Sequence, residues 1–233
     1  MEGNDPRSCA NCAVRVCDDR GAEGETRAYP AFCLTERTPD AAFEETAALY
    51  RDDPDTARIF QAAAEVEGLY YSQLTRVEEV MVFARRIGAR KIGIATCMGL
   101  IDEAQAFARI LRAKGFDDVC AVACKVGAVA KERAGIADDV KVHPGCFEPT
   151  CNPVMQARLL EEEGTDLNIV MGLCVGHDTL FYRHSHAPTT TLVTKDHVTG
   201  HNACAGLYAS KSVYRRRLNE TVDACREGVI AQV

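Results

Sequence analysis

The sequence lacks the motifs that mark the common nucleotide-dependent and acyl-transfer enzymes. It contains no Gly-x-Gly-x-x-Gly, no phosphate-binding P-loop and no nucleophile elbow around a serine. Nothing in it therefore supports chemistry on nicotinamide cofactors or nucleoside triphosphates. Low-complexity segments and solenoid repeats are also absent.

Long hydrophobic runs and an excess of basic residues are missing as well. No stretch approaches the roughly 20 apolar residues that cross a bilayer, and the segment Met1 to Pro6 contains no apolar signal core. The formal net charge is −7, and an acidic chain without a basic face is a poor candidate for nucleic-acid binding. We therefore expect a cytoplasmic protein that binds neither membranes nor nucleic acid. Its oligomeric state is left open.

Cysteine, in contrast, is abundant, with 12 residues among 233. In a reducing compartment this number argues against a disulfide framework and for metal ligation. The first group is Cys9, Cys12, Cys17 and Cys33. Cys-x2-Cys lets two thiolates turn toward one ion, so we expect a zinc site or one iron–sulfur cluster. Residues 1–39 then form a metal-binding lobe, which needs the metal to become ordered.

The remaining sequence predicts a helical segment over 40–88 and an α/β domain over 89–233. One helix begins at Asp40, and a second, long helix runs from about Ile59 to Ala84 with a broad apolar face. After Gly88 strands and helices alternate, which favours a mostly parallel, Rossmann-like sheet flanked by helices. The predicted strands are 91–96, 119–123, 140–142, 167–173 and 190–194. The predicted helices are 102–114, 127–134, 153–163, 179–182 and 203–218.

Three cysteines follow predicted strands in a repeated context. Cys97, Cys124 and Cys174 each stand at a strand end, with a glycine two or three residues later. In a parallel sheet, ligands collect beyond the carboxyl ends of the strands. Cys146 and Cys151 belong to a loop that can reach the same edge, and Cys151 precedes a predicted helix. We expect these thiolates to hold one cluster, through Cys97, Cys124, Cys151 and Cys174, with Cys146 as a substitute.

The alternative is that these cysteines are small buried hydrophobic residues. We assign that structural role to Cys120, in the middle of a strand, and to Cys225, and leave Cys204 open. His177 directly follows the Cys174 segment and is a candidate ligand or proton donor. Asp178 either orients His177 or caps the next helix.

Together these motifs resemble a cysteine-rich bacterial and archaeal family of unknown function, whose members are labelled only as metal-binding. The motifs are Cys-x2-Cys-x4-Cys, Ala95–Cys97, Cys151–Pro153, Leu173–Asp178, Ala187–Thr190 and Gly200–Asn202. The resemblance implies metal binding at Cys9, Cys12, Cys17 and Cys33 and importance for Cys97, Cys151, Cys174, His177 and Asp178. It implies no substrate. Cys204 stands where the family pattern has proline, which argues against a ligand role there.

We therefore expect an iron–sulfur protein, most simply with a [4Fe–4S] cluster, and zinc as the alternative, especially at the N-terminal site. An iron without a protein ligand would permit Lewis-acid or sulfur-handling catalysis on a small-molecule substrate, whereas full cysteine ligation would favour an electron carrier with an electron donor as partner. The rival interpretation is a structural or metal-buffering zinc protein without catalysis. Thiol transfer through Cys120 and Cys124 ranks last, because a strand does not bring these two residues together.

Overall fold

The computed structural model describes residues 9–18 and 29–219. The chain divides into two compact units, residues 1–67 and 68–233. The division predicted at residues 39 and 88 stays a prediction, and Cys225 lies outside the described residues. The first unit contains 3₁₀ turns at Cys9–Asn11 and Val16–Asp18 and helices α1 (Leu34–Arg37), α2 (Asp40–Asp52) and most of α3 (Pro54–Tyr70). Helices α2 and α3 are joined by stacking of Tyr50 on Phe60, with ring centroids 4.1 Å apart.

The single long helix expected from Ile59 to Ala84 is wrong, because the chain breaks after α3 and a separate helix α4 covers Arg76–Arg86. Ser72 has a positive φ of 56° at this break, a conformation that does not continue a helix. Thr75 then begins α4 with a capping box. Its side chain accepts from the Glu78 N–H, and the Glu78 carboxylate accepts from the Thr75 N–H at 2.8 Å.

The second unit contains a four-stranded, all-parallel sheet, which confirms the predicted α/β class. The strands are β1 (Lys91–Thr96), β2 (Asp118–Ala123), β3 (Leu167–Met171) and β4 (Thr189–Val193), in the order β2-β1-β3-β4. Ile94 lies opposite Ala121 on one side and Ile169 on the other. β1 and β3 therefore form the buried centre, and their residues read as continuous apolar runs.

Helices cover both faces of this sheet. The connecting helices are α5 (Ile101–Ala113), α6 (Pro153–Glu162) and α7 (His177–His184). The connection from β1 to β2 runs toward one edge of the sheet, and the connections from β2 to β3 and from β3 to β4 run toward the other edge. Because such connections are right-handed, α5 lies on one face of the sheet and α6 and α7 lie on the opposite face. The core beneath α6 and α7 contains Leu160, Val170 and Phe181, each at most 1% exposed, and extends to Cys97 and Cys124.

Three further predicted elements are wrong. The helix expected at 127–134 is a 3₁₀ turn, Lys131–Ala134, and the strand expected at 140–142 is replaced by a turn at Asp138–Val140. Both lie in a loop that is held by ion pairs and by one isolated antiparallel bridge, between Ala130 and Pro149. The C-terminal helix is interrupted into α8 (Ala203–Tyr208), a 3₁₀ turn at Ala209–Lys211, and α9 (Arg215–Asn219). At the interruption Ser212 has the non-helical dihedral angles φ −129° and ψ −107°, and its hydroxyl donates to the Ala209 carbonyl at 3.2 Å.

None of the helices within the described ranges is long and apolar enough to cross a membrane.

Candidate functional site

The strand order creates a crevice at the carboxyl ends of β1 and β3. The connection from β1 runs toward β2 and that from β3 toward β4, so the two loops leave the sheet in opposite directions at this point. Such a switch point is where open α/β sheets bind ligands. Cys97 follows β1 directly, and Cys174 lies three residues beyond the end of β3. The sequence therefore places two thiols at the edge where a ligand is expected.

The loop after β1 holds the Cys97 side chain inward. Cys97 is 6% exposed, its N–H donates to the Met171 carbonyl at 3.3 Å, and its sulfur accepts from the Gly99 N–H at 3.4 Å. Gly172 lets the loop after β3 approach closely. Its φ is 68°, and a Cβ there would lie 1.8 Å from Leu100 Cδ1. A larger residue at position 172 would push the two loops apart.

Cys124 and Cys151 meet at the base of a long loop between β2 and α6. The Asn152 N–H donates to the Cys124 carbonyl at 2.7 Å, which closes the loop. Cys124 is 2% exposed, and its sulfur accepts from the Met98 N–H at 3.4 Å and lies 3.6 Å from the Cys151 sulfur. Cys151 directly precedes Asn152, which caps α6 by accepting from the Met155 N–H at 3.1 Å. The positive end of the α6 dipole therefore faces this pair.

The Cys124 and Cys151 thiols have opposite pKa shifts. Their mutual hydrogen bond, followed by burial, raises the pKa of Cys124. The same hydrogen bond lowers the pKa of Cys151 to about 7 in spite of burial, and the positive charge of Lys125 adds to this effect. Because Cys124 is the more buried thiol, ionisation costs more at Cys124 than at Cys151. Near neutral pH one member of the pair is therefore substantially ionised.

Lys195 lies beside the other two thiols. Its ammonium group donates to the Cys97 sulfur at 2.6 Å. Burial opposes its protonation, but the hydrogen bond and charge of Cys97, together with the nearby charge of Cys174, outweigh burial and raise the pKa of Lys195. The sequence analysis missed this residue, because a lysine after a strand does not by itself indicate contact with thiols. The available signal was its position two residues beyond β4, at the same edge of the sheet.

Four predicted site residues are thus brought together from separate segments. Cys124 lies in the same core cluster as Cys97 and forms a hydrogen bond with Cys151, and the nearby charges of Cys97 and Cys174 act to raise the pKa of Cys151. Cys146 is placed differently: it is exposed on the loop, and its backbone contacts are with His143 and Lys141.

His177 and Asp178 begin α7 beside these thiols. Burial, followed by the charge of Lys125, lowers the pKa of His177, so its ring is neutral at neutral pH. The His177 Nδ1 is buried and has no hydrogen-bond partner among the described residues. Asp178 accepts from the N–H groups of Gly176 at 3.0 Å and Thr179 at 2.7 Å. Asp178 therefore lies in the first turn of α7, whose N-cap residue is Gly176, and the two roles predicted for Asp178 stay predictions.

The remaining cysteines lie elsewhere. Cys120 is half-buried on β2, and burial raises its pKa. Cys204 is exposed on the wall of a separate cavity of about 480 Å³, together with Leu100, Glu103 and His201.

At the N-terminus, a tight turn joins the Cys12 N–H to the Cys9 carbonyl at 3.1 Å, and the Arg15 N–H donates to the Cys12 sulfur at 3.4 Å. A hydrogen bond to the Glu36 backbone lowers the pKa of Cys33.

Across residues 9–18 and 29–219, no three or more His, Cys, Asp or Glu side chains are arranged to hold a single metal ion. The cysteines of the same ranges are all free thiols.

Comparison with known proteins places the chain in a family. Residues 33–192 match the family described as "Protein of unknown function (DUF1847)". The chain belongs to this family. The DUF1847 segment contains Cys33 and all four cysteines at the sheet edge, whereas Cys9, Cys12, Cys17 and Lys195 lie outside it. This membership confirms the predicted resemblance to a family of unknown function.

A DUF1847 relative supports the same placement. The "Uncharacterized protein MJ0455" of Methanocaldococcus jannaschii is 42% identical over 166 residues, which cover 71% of this chain and 82% of the relative. No solved structure gives a significant match.

Proposed function

We propose that this protein is a cytoplasmic iron–sulfur protein whose cluster is bound by Cys97, Cys124, Cys151 and Cys174. The observation that carries the proposal is the convergence of these four thiols, from four separate segments, at the switch point of the sheet. Free thiols at such a density are the ligands that iron–sulfur clusters use in reducing compartments.

The surroundings of the four thiols fit an anionic cluster. The N–H groups of Met98 and Gly99 donate to the sulfurs of Cys124 and Cys97. Lys195 and Lys125 supply positive charge, the first to Cys97 and Cys174 and the second to Cys151. Such hydrogen bonds and charges stabilise thiolates, which are the form that binds metal.

Four cysteine ligands favour electron transfer over Lewis-acid catalysis. In a [4Fe–4S] cluster with four cysteine ligands, each iron has a thiolate and none is open to a substrate. We therefore assign the protein the role of a single-electron carrier that works with an electron donor.

The second candidate is a zinc protein, which the Cys124–Cys151 distance favours. Two thiolates on one tetrahedral zinc ion, each about 2.3 Å from it, lie about 3.8 Å apart, and these two sulfurs are 3.6 Å apart. Cys97 instead accepts a hydrogen bond from the ammonium group of Lys195. Four thiols with lysine charges and backbone N–H groups beside them suit an anionic cluster, so we place iron–sulfur first. The N-terminal cysteines remain our proposed second metal site, with zinc or a cluster bound by Cys9, Cys12, Cys17 and Cys33.

The test is metal analysis of protein purified without oxygen. Iron, zinc and acid-labile sulfide are measured per chain in the wild type, in Cys174→Ser and in the control Cys120→Ser. We expect Cys174→Ser to lose about four iron atoms and the matching sulfide, and Cys120→Ser to keep them. Unchanged iron in Cys174→Ser contradicts the ligand assignment. A wild type with zinc and no iron replaces the first candidate by the second.

A further inference from the structure

The Cys124 and Cys151 thiols are held in contact by the backbone around them. Both cysteines are free, and their sulfurs lie 3.6 Å apart. On one side of Cys151, the Asn152 N–H donates to the Cys124 carbonyl at 2.7 Å. On the other side, the Thr150 N–H donates to the Val129 carbonyl, also at 2.7 Å. The sulfurs of a disulfide are about 2.05 Å apart, so rotation of the two side chains has to supply an approach of only about 1.5 Å.

The two thiols differ in their access to solvent. Cys124 is 2% exposed and belongs to the hydrophobic core, whereas Cys151 is half-buried at its border. A molecule from solution therefore reaches the Cys151 sulfur first. The Met98 N–H, 3.4 Å from the Cys124 sulfur, provides a hydrogen-bond donor when that sulfur carries negative charge. An accessible thiol with a second thiol buried beside it is the arrangement that thiol–disulfide exchange requires.

We propose that Cys124 and Cys151 form a redox-active dithiol that exchanges with low-molecular-weight disulfides. Cys151 attacks one sulfur of the small disulfide, so that a mixed disulfide forms and the S–S bond of the small molecule breaks. Cys124 then attacks the Cys151 sulfur, which closes the Cys124–Cys151 disulfide and releases the second half of the small molecule. The two protons and two electrons that the pair gives up end on the two small thiols. An excess of the small thiol reverses both steps.

This activity goes beyond the proposed function and uses two of the same sulfurs in another state. A metal binds thiolates, not disulfide sulfurs, so the exchange belongs to the metal-free chain. Disulfides in reducing compartments are usually transient and catalytic or redox-sensing, which fits a reversible pair. The partner of Cys124 is not Cys120, the pairing that the sequence disfavours, but a residue 27 positions away that the long loop returns to the sheet edge.

The experiment uses the full chain, purified without oxygen, treated with EDTA and dithionite to remove metal, desalted and then exposed to oxidised glutathione. Remaining thiols are alkylated, the chain is digested with trypsin, and linked peptides are identified by tandem mass spectrometry. Trypsin leaves Cys124 with Cys120 in peptide 115–125 and Cys151 with Cys146 in peptide 142–158. Cys120→Ser and Cys146→Ser are therefore matched controls within the same two peptides.

We expect a Cys124–Cys151 linkage in the wild type and in both controls, with two molecules of reduced glutathione released for each linkage. Cys124→Ser should stop at the mixed disulfide and carry one glutathione on Cys151. In Cys151→Ser, glutathione should add to Cys124 at least about tenfold more slowly than it adds to Cys151 in Cys124→Ser, because access limits the exchange rate and Cys124 is buried.

The linkage map of the wild type decides the inference without any variant. Peptides that stay unlinked, or that are linked through Cys146 in place of Cys151, overturn it. Equal rates of glutathione addition in Cys124→Ser and Cys151→Ser refute the order of attack.

The iron content measured before metal removal separates this result from the proposed function. Linkage in a chain that never contained iron supports the dithiol and refutes the cluster. Iron in the purified chain without linkage after its removal does the reverse, and iron followed by linkage supports both proposals.

Discussion

At the scale of single residues, the fold depends on a few positions where only one side chain fits. Gly93 is such a position in the centre of β1. A Cβ at Gly93 would lie 2.1 Å from the Asn168 Oδ1. Asn168 is 2% exposed and is held by the Thr165 hydroxyl at 2.8 Å and by the Ser185 hydroxyl, to which it donates at 2.9 Å. The glycine of β1 therefore makes room for a buried polar network that joins β3 to the end of α7.

Gly93→Ala should destabilise the protein by about 1–3 kcal/mol, because the new methyl group must displace the Asn168 side chain from its partners. Gly68→Ala is the matched control. Gly68 lies in α3 with nothing within 4 Å of its Cβ position, so alanine should be neutral or stabilising by up to about 1 kcal/mol. Urea unfolding of both variants measures the two free energies. Equal stability of the two variants would contradict this account of Gly93.

The contact of Lys195 with a thiol could not be predicted from the sequence. A lysine has no local signature that separates a solvent-exposed side chain from one that donates to a thiolate. Its contact with Cys97 spans 98 positions of sequence, so it depends on the pairing of β1 with β3 and of β3 with β4.

At the scale of elements, the loop between β2 and α6 is held together by charge. Lys141 is 7% exposed, and its ammonium group contacts Glu132, lies 2.7 Å from the Asp138 carboxylate and donates to the Cys146 carbonyl at 2.9 Å. The same loop is closed by the Lys131–Glu148 ion pair at 2.5 Å. A buried lysine with three partners takes the place of a hydrophobic core in this segment.

Lys141→Met should loosen this loop without unfolding the sheet, because it leaves Glu132 and Asp138 without their common partner. We expect amide hydrogen exchange in residues 127–150 to accelerate by about tenfold or more, while β3 stays protected. Mass spectrometry of peptides compares the variant with Lys114→Met, which should leave the loop unchanged. Acceleration of exchange in β3 to the same degree would mean that the loop is not a separate element.

The same ion pairs make the loop sensitive to acid. Hydrogen bonding to Lys141 lowers the pKa of Glu132 and of Asp138 below their ordinary values of 4.5 and 3.8. A carboxylate with a lowered pKa stabilises the folded form above its ordinary pKa, and this stabilisation is lost as the pH falls through the lowered value. Exchange in the loop, corrected for the intrinsic rate, should therefore stay constant down to about pH 5 and accelerate below about pH 4. In Lys141→Met this step should be absent.

At the scale of the whole molecule, the sheet, the helices on both of its faces and the four clustered thiols all belong to one unit, residues 68–233. The N-terminal cysteines belong to the other. We therefore expect each of the two proposed metal sites to bind its metal when the other site is removed.

A fragment of residues 68–233 should fold and keep the cluster iron, but lose the metal of the N-terminal site. Circular dichroism and metal analysis of the fragment and the full chain measure both properties. The matched control is the full chain with Cys9→Ser and Cys12→Ser, which should lose the same metal without losing any residues. A folded fragment without iron would show that the sheet-edge thiols do not form a site by themselves.

Much of the fold was predictable because its signals are local. β1 begins and ends where its apolar run does, α6 begins at Asn152-Pro153, and the alternation of elements indicated the parallel sheet. The errors arose where a second local signal competed. Continuous apolar periodicity concealed the break at Ser72, although Thr75 and Glu78 carried a recognisable capping box.

The sequence by itself determined that thiols stand at the carboxyl ends of the strands, because strand ends and the residues after them are set by local pattern. The sequence also favoured Cys151 over Cys146, and the tertiary structure places Cys151 against Cys124 and leaves Cys146 exposed. Only the tertiary structure decided that Lys195 contacts the Cys97 sulfur. The reason is physical. These contacts depend on how loops close across the sheet, and the loop from Cys124 to Cys151 is held by ion pairs that no local periodicity encodes.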